Sequence, residues 1–129
     1  MTMRKRTVVE AERRHRPELL GILVLVLPDE DPDTSFLDDE TKKRFQHGDF
    51  TFVGIRAEAE ITVDGITQTI VSGGLWGVES DAGDEYIKEI AGEEYNDLRK
   101  ILKTLGVPTS ELPTEVEQGQ IEWSVEGDE

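Results

Sequence analysis

The sequence predicts one α+β domain, in which a mostly antiparallel sheet carries a long amphipathic helix on one face. Three observations support this fold class. Residues 19–27 form an almost unbroken apolar run, residues 51–63 alternate apolar with polar side chains, and residues 84–105 repeat apolar side chains at the helical period. A chain of 129 residues suits a single hydrophobic core.

Composition divides the chain into three parts. Residues 1–18 are a basic start that we expect to be flexible, and residues 1–16 hold six basic and two acidic side chains. Residues 19–106 form the single α+β domain. Residues 107–129 are an acidic tail that predicts either an edge strand near 120–126 or a disordered segment that folds on a partner.

The first predicted strand is residues 19–27. Its apolar side chains fall on both faces, which is typical of a central strand covered on both sides. The run is too short for a helix across a bilayer, which takes about 20 residues. It is followed by Pro28-Asp29-Glu30-Asp31 instead of a small-residue cleavage site, which argues against a secretory signal. Since the chain also has no cysteine, we expect a cytoplasmic protein without membrane contact.

A short helix is predicted at residues 37–46. Asp38 and Asp39 stand where acidic side chains favour the start of a helix, and the basic side chains at 42–44 stand where they favour its end. Gly48 follows and supplies a stop.

The clearest element is a β-hairpin of strands 51–63 and 66–72. The odd positions of 51–63 are Thr, Val, Ile and Ala, whereas charged side chains occupy several even positions, as in a half-buried strand. Asp64-Gly65 is a strong signal for a two-residue type I′ turn. That turn pairs Val63 with Ile66 and continues the apolar face into the second strand.

The long helix is predicted at residues 84–105. Acidic side chains crowd its first half, and Arg99, Lys100 and Lys103 lie in its second half, which suits the helix dipole. Gly106 ends it. Packed on the odd-numbered face of the hairpin, this helix would supply most of the core, at about 25 cal/mol per Å² of apolar area.

The net negative charge of the chain limits the classes of molecule that it can bind. The chain has 14 basic and 29 acidic side chains and a net charge of −15. A body this negative repels DNA and RNA, because binding them replaces phosphate counterions with Lys and Arg. It favours a basic partner protein, a cation or plain solubility.

Catalytic motifs are lacking in the sequence. There are two histidines, His15 and His47, no cysteine, and no serine in a Gly-x-Ser-x-Gly or Ser-x-x-Lys motif. Any pair among so many carboxylates is expected by chance. We therefore predict a protein that is not an enzyme and that needs no cofactor.

The acidic loop at residues 29–40 offers a candidate cation site. Acids at positions 1, 3 and 5 and a glutamate at position 12 resemble an EF-hand calcium loop. Against this, Thr34 replaces the glycine needed at position 6, and a predicted strand precedes the loop instead of a helix. The simpler interpretation is a solvated loop that leads into a capped helix. The ligands of the cation site would be Asp29, Asp31, Asp33 and Glu40.

A tryptophan between glycines marks residues 72–81, where the predicted hairpin runs toward the long helix. Trp76 either fills the core beneath that helix or anchors a partner, since tryptophan is enriched in interface hot spots. Trp123 offers the same choice in the acidic tail. The candidate partner-binding residues are Leu75, Trp76, Glu79, Asp81 and Trp123.

The stretch Gly-Gly-Leu-Trp-Gly-Val-Glu-Ser-Asp at 73–81, with the hairpin before it and the acidic helix after it, resembles a group of small uncharacterised bacterial and phage or mobile-element proteins. The resemblance covers about residues 50–105 and depends mainly on that motif. It implies a phage or mobile-element context and supplies no catalytic residues.

Three functional hypotheses follow from these observations. The first is a non-catalytic accessory protein that binds another protein, one with a basic surface, through its acidic surface, with Trp76 and the acidic tail as candidate contacts. The second is an acidic nucleic-acid mimic that inhibits a DNA- or RNA-binding defence enzyme, as anti-restriction or anti-CRISPR factors do. The third is a divalent-cation-binding protein that uses loop 29–40. The sequence leaves the oligomeric state open.

Overall fold

The computed structural model describes residues 17–124, apart from the side chain of residue 118. The sequence-based predictions for the basic start at 1–16 and for residues 125–129 lie outside the described residues. Five strands and two longer helices make up the fold of residues 17–124. They are β1 (Glu18–Pro28), α1 (Asp39–Gln46), β2 (Phe52–Val63), β3 (Ile66–Val71), β4 (Leu75–Glu79), α2 (Asp84–Thr104) and β5 (Ile121–Trp123), with a single 3-10 turn at Gln118–Gln120.

The strands form one mixed sheet in the order β3-β2-β1-β5. β2 is long enough to take two partners on the same edge, with β3 beside its second half and β4 beside its first half. All pairs are antiparallel except β1 with β5, which run parallel. The predicted α+β class is confirmed, with one parallel pair that the sequence did not indicate.

The hairpin has the predicted register. Val63 pairs with Ile66, Ile61 with Gln68, and Ala59 with Ile70. Asp64 and Gly65 both have positive φ, 54° and 81°, as a type I′ turn requires.

The core lies between the odd-numbered face of β2 and α2. Tyr95, Leu98 and Leu102 of the helix are fully buried, as are Val53, Ile55 and Ala57 of β2. The chain after the helix closes the core from the other side of α2. Its Val107 and Val116 are buried, and the Tyr95 hydroxyl donates a hydrogen bond to the carbonyl of Pro113 (2.8 Å).

β1 differs from the expectation of a strand covered on both sides. Val24 and Val26 are fully buried beneath α2, but Leu23, Leu25 and Leu27 face the other way and stay partly exposed. Leu25 pairs with Arg56, and Leu23 with Glu58. On that face the described residues place no second helical layer over the middle of the sheet, so the leucines share it with charged side chains.

α1 begins two residues later than predicted, because Asp38 caps it. The Asp38 carboxylate accepts a hydrogen bond from the N–H of Thr41 (2.8 Å). Phe45 attaches the helix to the start of β2, where its ring lies 5.1 Å from Phe52 and 5.8 Å from Phe50 between centroids. This cluster covers one end of the sheet face opposite α2.

β4 was not predicted. The sequence analysis assigned no strand to residues 75–79, but Leu75, Val78 and Glu79 pair with β2 opposite Ile55, Val53 and Phe52. The register shifts between Val53 and Ile55, so two residues of β4 oppose one of β2. Gly77 lies in this bulge with φ of 77°, a conformation that glycine adopts without steric cost.

Among residues 17–124, no helix combines the length and the apolar character needed to cross a bilayer.

Candidate protein-binding site

The passage from β3 to β4 is fixed by a buried carboxylate on α2. Glu94, only 8% exposed, accepts hydrogen bonds from the Ser72 hydroxyl (2.6 Å) and from the N–H of Gly74 (2.9 Å). The Ser72 oxygen in turn accepts the N–H of Ala57 (2.9 Å), and the N–H of Ser72 donates to the carbonyl of Ala57 (2.9 Å). The N–H groups of Ser72 and Gly74 and the Ser72 hydroxyl thus each have a partner, and Glu94 of α2 determines where β4 begins.

Trp76 lies flat on β2 at Gly54. A Cβ atom added at Gly54 would collide with the six-membered ring of Trp76, so this packing requires glycine. A Cβ added at Gly74 would lie 3.1 Å from Trp76 Nε1 and 3.3 Å from Arg56 Cβ. The indole ring is therefore held between the backbone of β2 and the 72–74 connection, on the sheet face opposite α2.

The tryptophan is held without being buried. Its exposed fraction is 43%, and those of Leu75 and Tyr86 are 41% and 49%. The three side chains line a shallow groove of about 330 Å³ along the edge of β4 that faces away from β2, together with Gly77, Val78, Glu79 and Ala82. We call Leu75, Trp76, Glu79 and Tyr86 the Trp76 surface.

The two acidic candidates beside Trp76 have different environments. Asp81 forms an ion pair with Arg44 of α1 (2.6 Å), and the Arg44 guanidinium lies 5.1 Å from the centre of the Phe50 ring. Glu79 is partly buried at the groove and forms no ion pair with any residue of 17–124. Asp81 thus ties the β4–α2 turn to α1, and Glu79 is the carboxylate available to a ligand of the groove.

Trp123 lies at the opposite edge of the sheet from the Trp76 surface. It is in β5, opposite Val26, whereas β4 lies at the other edge of the sheet. Trp123 is 46% exposed and lines a small depression of about 70 Å³ with Asp84, Ile87 and Lys88 of α2. The structure therefore brings Leu75, Trp76 and Glu79 together but leaves Trp123 three strands away and on the face covered by α2.

Two of the four candidate ligands in loop 29–40, Asp29 and Asp33, accept hydrogen bonds from the protein itself. Asp29 accepts the N–H of Asp31 (3.2 Å) and the N–H of Gly77 in the β4 bulge (3.0 Å). Asp33 accepts both the hydroxyl (2.7 Å) and the N–H (3.0 Å) of Ser35, and these bonds hold the pKa of its carboxyl below the ordinary value. Within the described ranges, no three His, Asp or Glu side chains gather as metal ligands would. Asp29, Asp31, Asp33 and Glu40 are thus not brought to one point.

The side chains considered for catalysis are not combined into a site. His47 is the exposed C-cap residue of α1, and His15 lies outside the described residues. The most enclosed carboxylate of residues 17–124, that of Glu94, is already bonded to Ser72 and Gly74.

Several residues of the site escaped the sequence analysis. Gly54 lies among the even-numbered, mostly polar positions of β2. A glycine inside a strand is a signal that another part of the protein packs closely on its backbone. Tyr86 lies outside the apolar face that α2 packs against the sheet. Its position in the sequence therefore indicates an exposed aromatic side chain. Glu94 carries no such signal, because one more glutamate in an acidic helix is unremarkable in sequence.

Comparisons with protein-family models, curated proteins and solved structures find no significant match to this chain.

Proposed function

We propose that this protein is a non-catalytic accessory protein that binds another protein through the Trp76 surface. The observation that carries the proposal is an indole ring that is both fixed and exposed. Gly54 and Gly74 admit the ring, and 43% of Trp76 remains accessible. A tryptophan needed only for the core would be covered instead.

Fixed aromatic side chains suit binding for an entropic reason. Immobilising a free side chain at an interface costs about 0.5–1.5 kcal/mol. Trp76 has already lost that freedom in the folded chain, because β2 and the 72–74 connection hold its ring. Trp and Tyr are also the residues most enriched in binding hot spots, and here Tyr86 lies beside Trp76.

Charge indicates the chemistry of the partner. The net charge of −15 favours approach of a basic protein and opposes an acidic one or a nucleic acid. Glu79, without an ion pair among residues 17–124, would receive an Arg or Lys at the groove. The partner we propose therefore has an apolar pocket or ridge for Trp76, bordered by cationic side chains.

A second candidate function is nucleic-acid mimicry, in which the protein occupies the basic groove of a DNA- or RNA-binding defence enzyme. The observation in its favour is a row of exposed carboxylates along α2, at Glu85, Glu89, Glu93 and Asp97. Residues four apart on a helix are about 6 Å apart along the axis. The row therefore presents regularly spaced negative charge, as a phosphate backbone does.

The experiment that tests the proposal is capture of partners by the tagged protein from a lysate of its own host. Wild type is compared with Trp76→Ala and with Trp123→Ala, which removes a tryptophan of similar exposure at the other edge of the sheet. We expect a basic protein that Trp76→Ala fails to retain and Trp123→Ala retains. Equal capture by both variants would contradict a role for Trp76.

The mimic is separated from this function by charge variants and salt. Glu89→Gln with Glu93→Gln should abolish capture by a mimic and leave the Trp76 interface largely intact. A mimic also loses affinity steeply as salt rises, because its contacts are between exposed charges. A partner retained at high salt and lost with Trp76→Ala would exclude mimicry.

A further inference from the structure

Among residues 17–124, no strand pairs with the outer edge of β3, and this edge lacks the usual protection against pairing. Its sequence Ile-Thr-Gln-Thr-Ile-Val contains no charge and no proline, whereas each of the other four strands carries at least one Asp, Glu, Lys or Arg. Ile66 is 61% exposed and Val71 42%. Natural sheets protect such edges with charged residues, prolines or bulges, and an edge that lacks them is a template for another strand.

The backbone groups of this edge can be assigned from the hydrogen bonds of the hairpin. The N–H of Ser72 donates to Ala57 of β2, so residue 72 directs its backbone groups toward β2. Backbone direction alternates along an antiparallel strand. Ile66, Gln68 and Ile70 therefore also bond to β2. The residues between them, Thr67, Thr69 and Val71, direct N–H and C=O outward.

We propose that β3 pairs with β3 of a second copy of this chain, antiparallel and about a two-fold axis at Thr69. In that register Thr69 faces its own equivalent, and Thr67 of each copy faces Val71 of the other. The outward groups of these residues would form about six backbone hydrogen bonds. An interface of this kind is isologous, as closed dimers require.

Complementarity favours a second copy at this edge, because the two-fold register pairs every outward backbone group of residues 67, 69 and 71. β3 offers a basic strand no acidic side chain for an ion pair. Two copies, each with a net charge of −15, repel each other least where the contact surface carries no charged side chain. The nearest acid opposite β3 is Glu60, paired with Thr69. Across the axis the two Glu60 backbones would be three strand spacings apart, about 14 Å, beyond the Debye length of about 8 Å at physiological salt.

The rest of the fold leaves room for this pairing. α2 packs mainly on β2, so the helices of two copies would also lie about three strand spacings apart. That distance exceeds the 8–10 Å between packed helices. The turn of each copy would end beside Gly73 and Gly74 of the other, just before β4 begins.

The proposal is tested by measuring molar mass in solution by light scattering and sedimentation equilibrium. We expect wild type to have twice the chain mass of 14.5 kDa and to dimerise more tightly as salt rises, because salt screens the repulsion between copies. Thr69→Lys places like charges opposite each other at the axis, while Glu60 supports the new lysine within one chain. This variant should be a folded monomer.

Two further variants complete the experiment. Thr69→Pro removes an outward N–H, which only the dimer uses, so it should also give a monomer. Gln46→Lys makes the same charge change at an exposed position of α1 and should remain a dimer. Circular dichroism and the Tm verify that each variant is folded. A wild-type monomer at the highest concentration that stays in solution, or a Thr69→Lys dimer as tight as wild type, would overturn the proposal.

Discussion

Replacing Gly54 with alanine tests how Trp76 is held. The added methyl group collides with the indole ring, which must leave the surface of β2. Gly21→Ala is the matched control, because Gly21 is also a strand glycine on this sheet but has no atom within 4 Å of an added Cβ.

The expected loss of stability follows from the covered part of Trp76. The residue is 43% exposed, which leaves 57% covered. A buried tryptophan covers up to about 250 Å², so displacement of the ring exposes at most about 140 Å². At about 25 cal/mol per Å² this area corresponds to an upper limit of about 3.5 kcal/mol. Alanine regains about 0.5–1 kcal/mol over glycine in a strand. We expect Gly54→Ala to lower the free energy of unfolding by at most about 3 kcal/mol.

Two assays measure the effect. Urea unfolding gives the change in stability, and tryptophan fluorescence in a Trp123→Phe background reports Trp76 alone. Gly54→Ala should shift the emission of Trp76 to longer wavelength as the ring enters water, and Gly21→Ala should not. Unchanged emission and unchanged stability in Gly54→Ala would refute the packing of Trp76 on β2.

Three further predictions concern the carboxylates. Glu94→Ala removes the acceptor of the buried Ser72 hydroxyl and the partly buried Gly74 N–H, and it should lower the free energy of unfolding by about 1–3 kcal/mol in urea. Exposed Glu93→Ala should change it by no more than about 0.5 kcal/mol, and equal effects of the two variants would contradict the hydrogen bonds of Glu94. The pKa of Asp38 is lowered by hydrogen bonds from the Thr41 side chain and N–H. A carboxyl whose pKa is lower in the folded chain stabilises the fold at pH values above its ordinary, unfolded-state pKa. That stabilisation is lost as the pH falls through the lowered, folded-state pKa. Asp38→Asn, which keeps a cap without a charge, should therefore show a smaller fall in Tm below pH about 4, and a parallel fall would contradict the assignment. Calcium should leave the Tm unchanged, because the acids of loop 29–40 are not gathered; a rise in Tm would support the cation hypothesis.

Local signals in the sequence were sufficient for the hairpin and the long helix. The alternation of 51–63, the Asp64-Gly65 turn and the helical stripe of 84–105 each depend on neighbouring residues only. The structure agrees with the predicted pairing of Val63 with Ile66 and ends α2 at Thr104. Propensity and tertiary packing favour the same structure in these segments.

β4 and the open face of β1 depend on contacts that are distant in sequence. In the sequence, Gly77 is typical of a turn. It lies in a strand because β4 pairs, with a bulge, along the first half of β2. From the sequence, Leu23 and Leu25 are expected to be buried, because an apolar run does not show whether one face or both faces of the strand are covered. The Trp76 surface depends on Gly54, 22 residues away, and no local pattern links the two residues.

The most direct test of the Trp76 surface is site-specific crosslinking in host cells. Tyr86 is replaced with the photoreactive benzoyl-phenylalanine, once in wild type and once together with Trp76→Ala. Lys100, exposed on α2 near its other end, takes the same group as a control. We predict that irradiation joins the Tyr86 position to one basic protein, that Trp76→Ala abolishes the product, and that the Lys100 position does not form it. The same product from Lys100, or a product that survives Trp76→Ala, would contradict the proposed binding site.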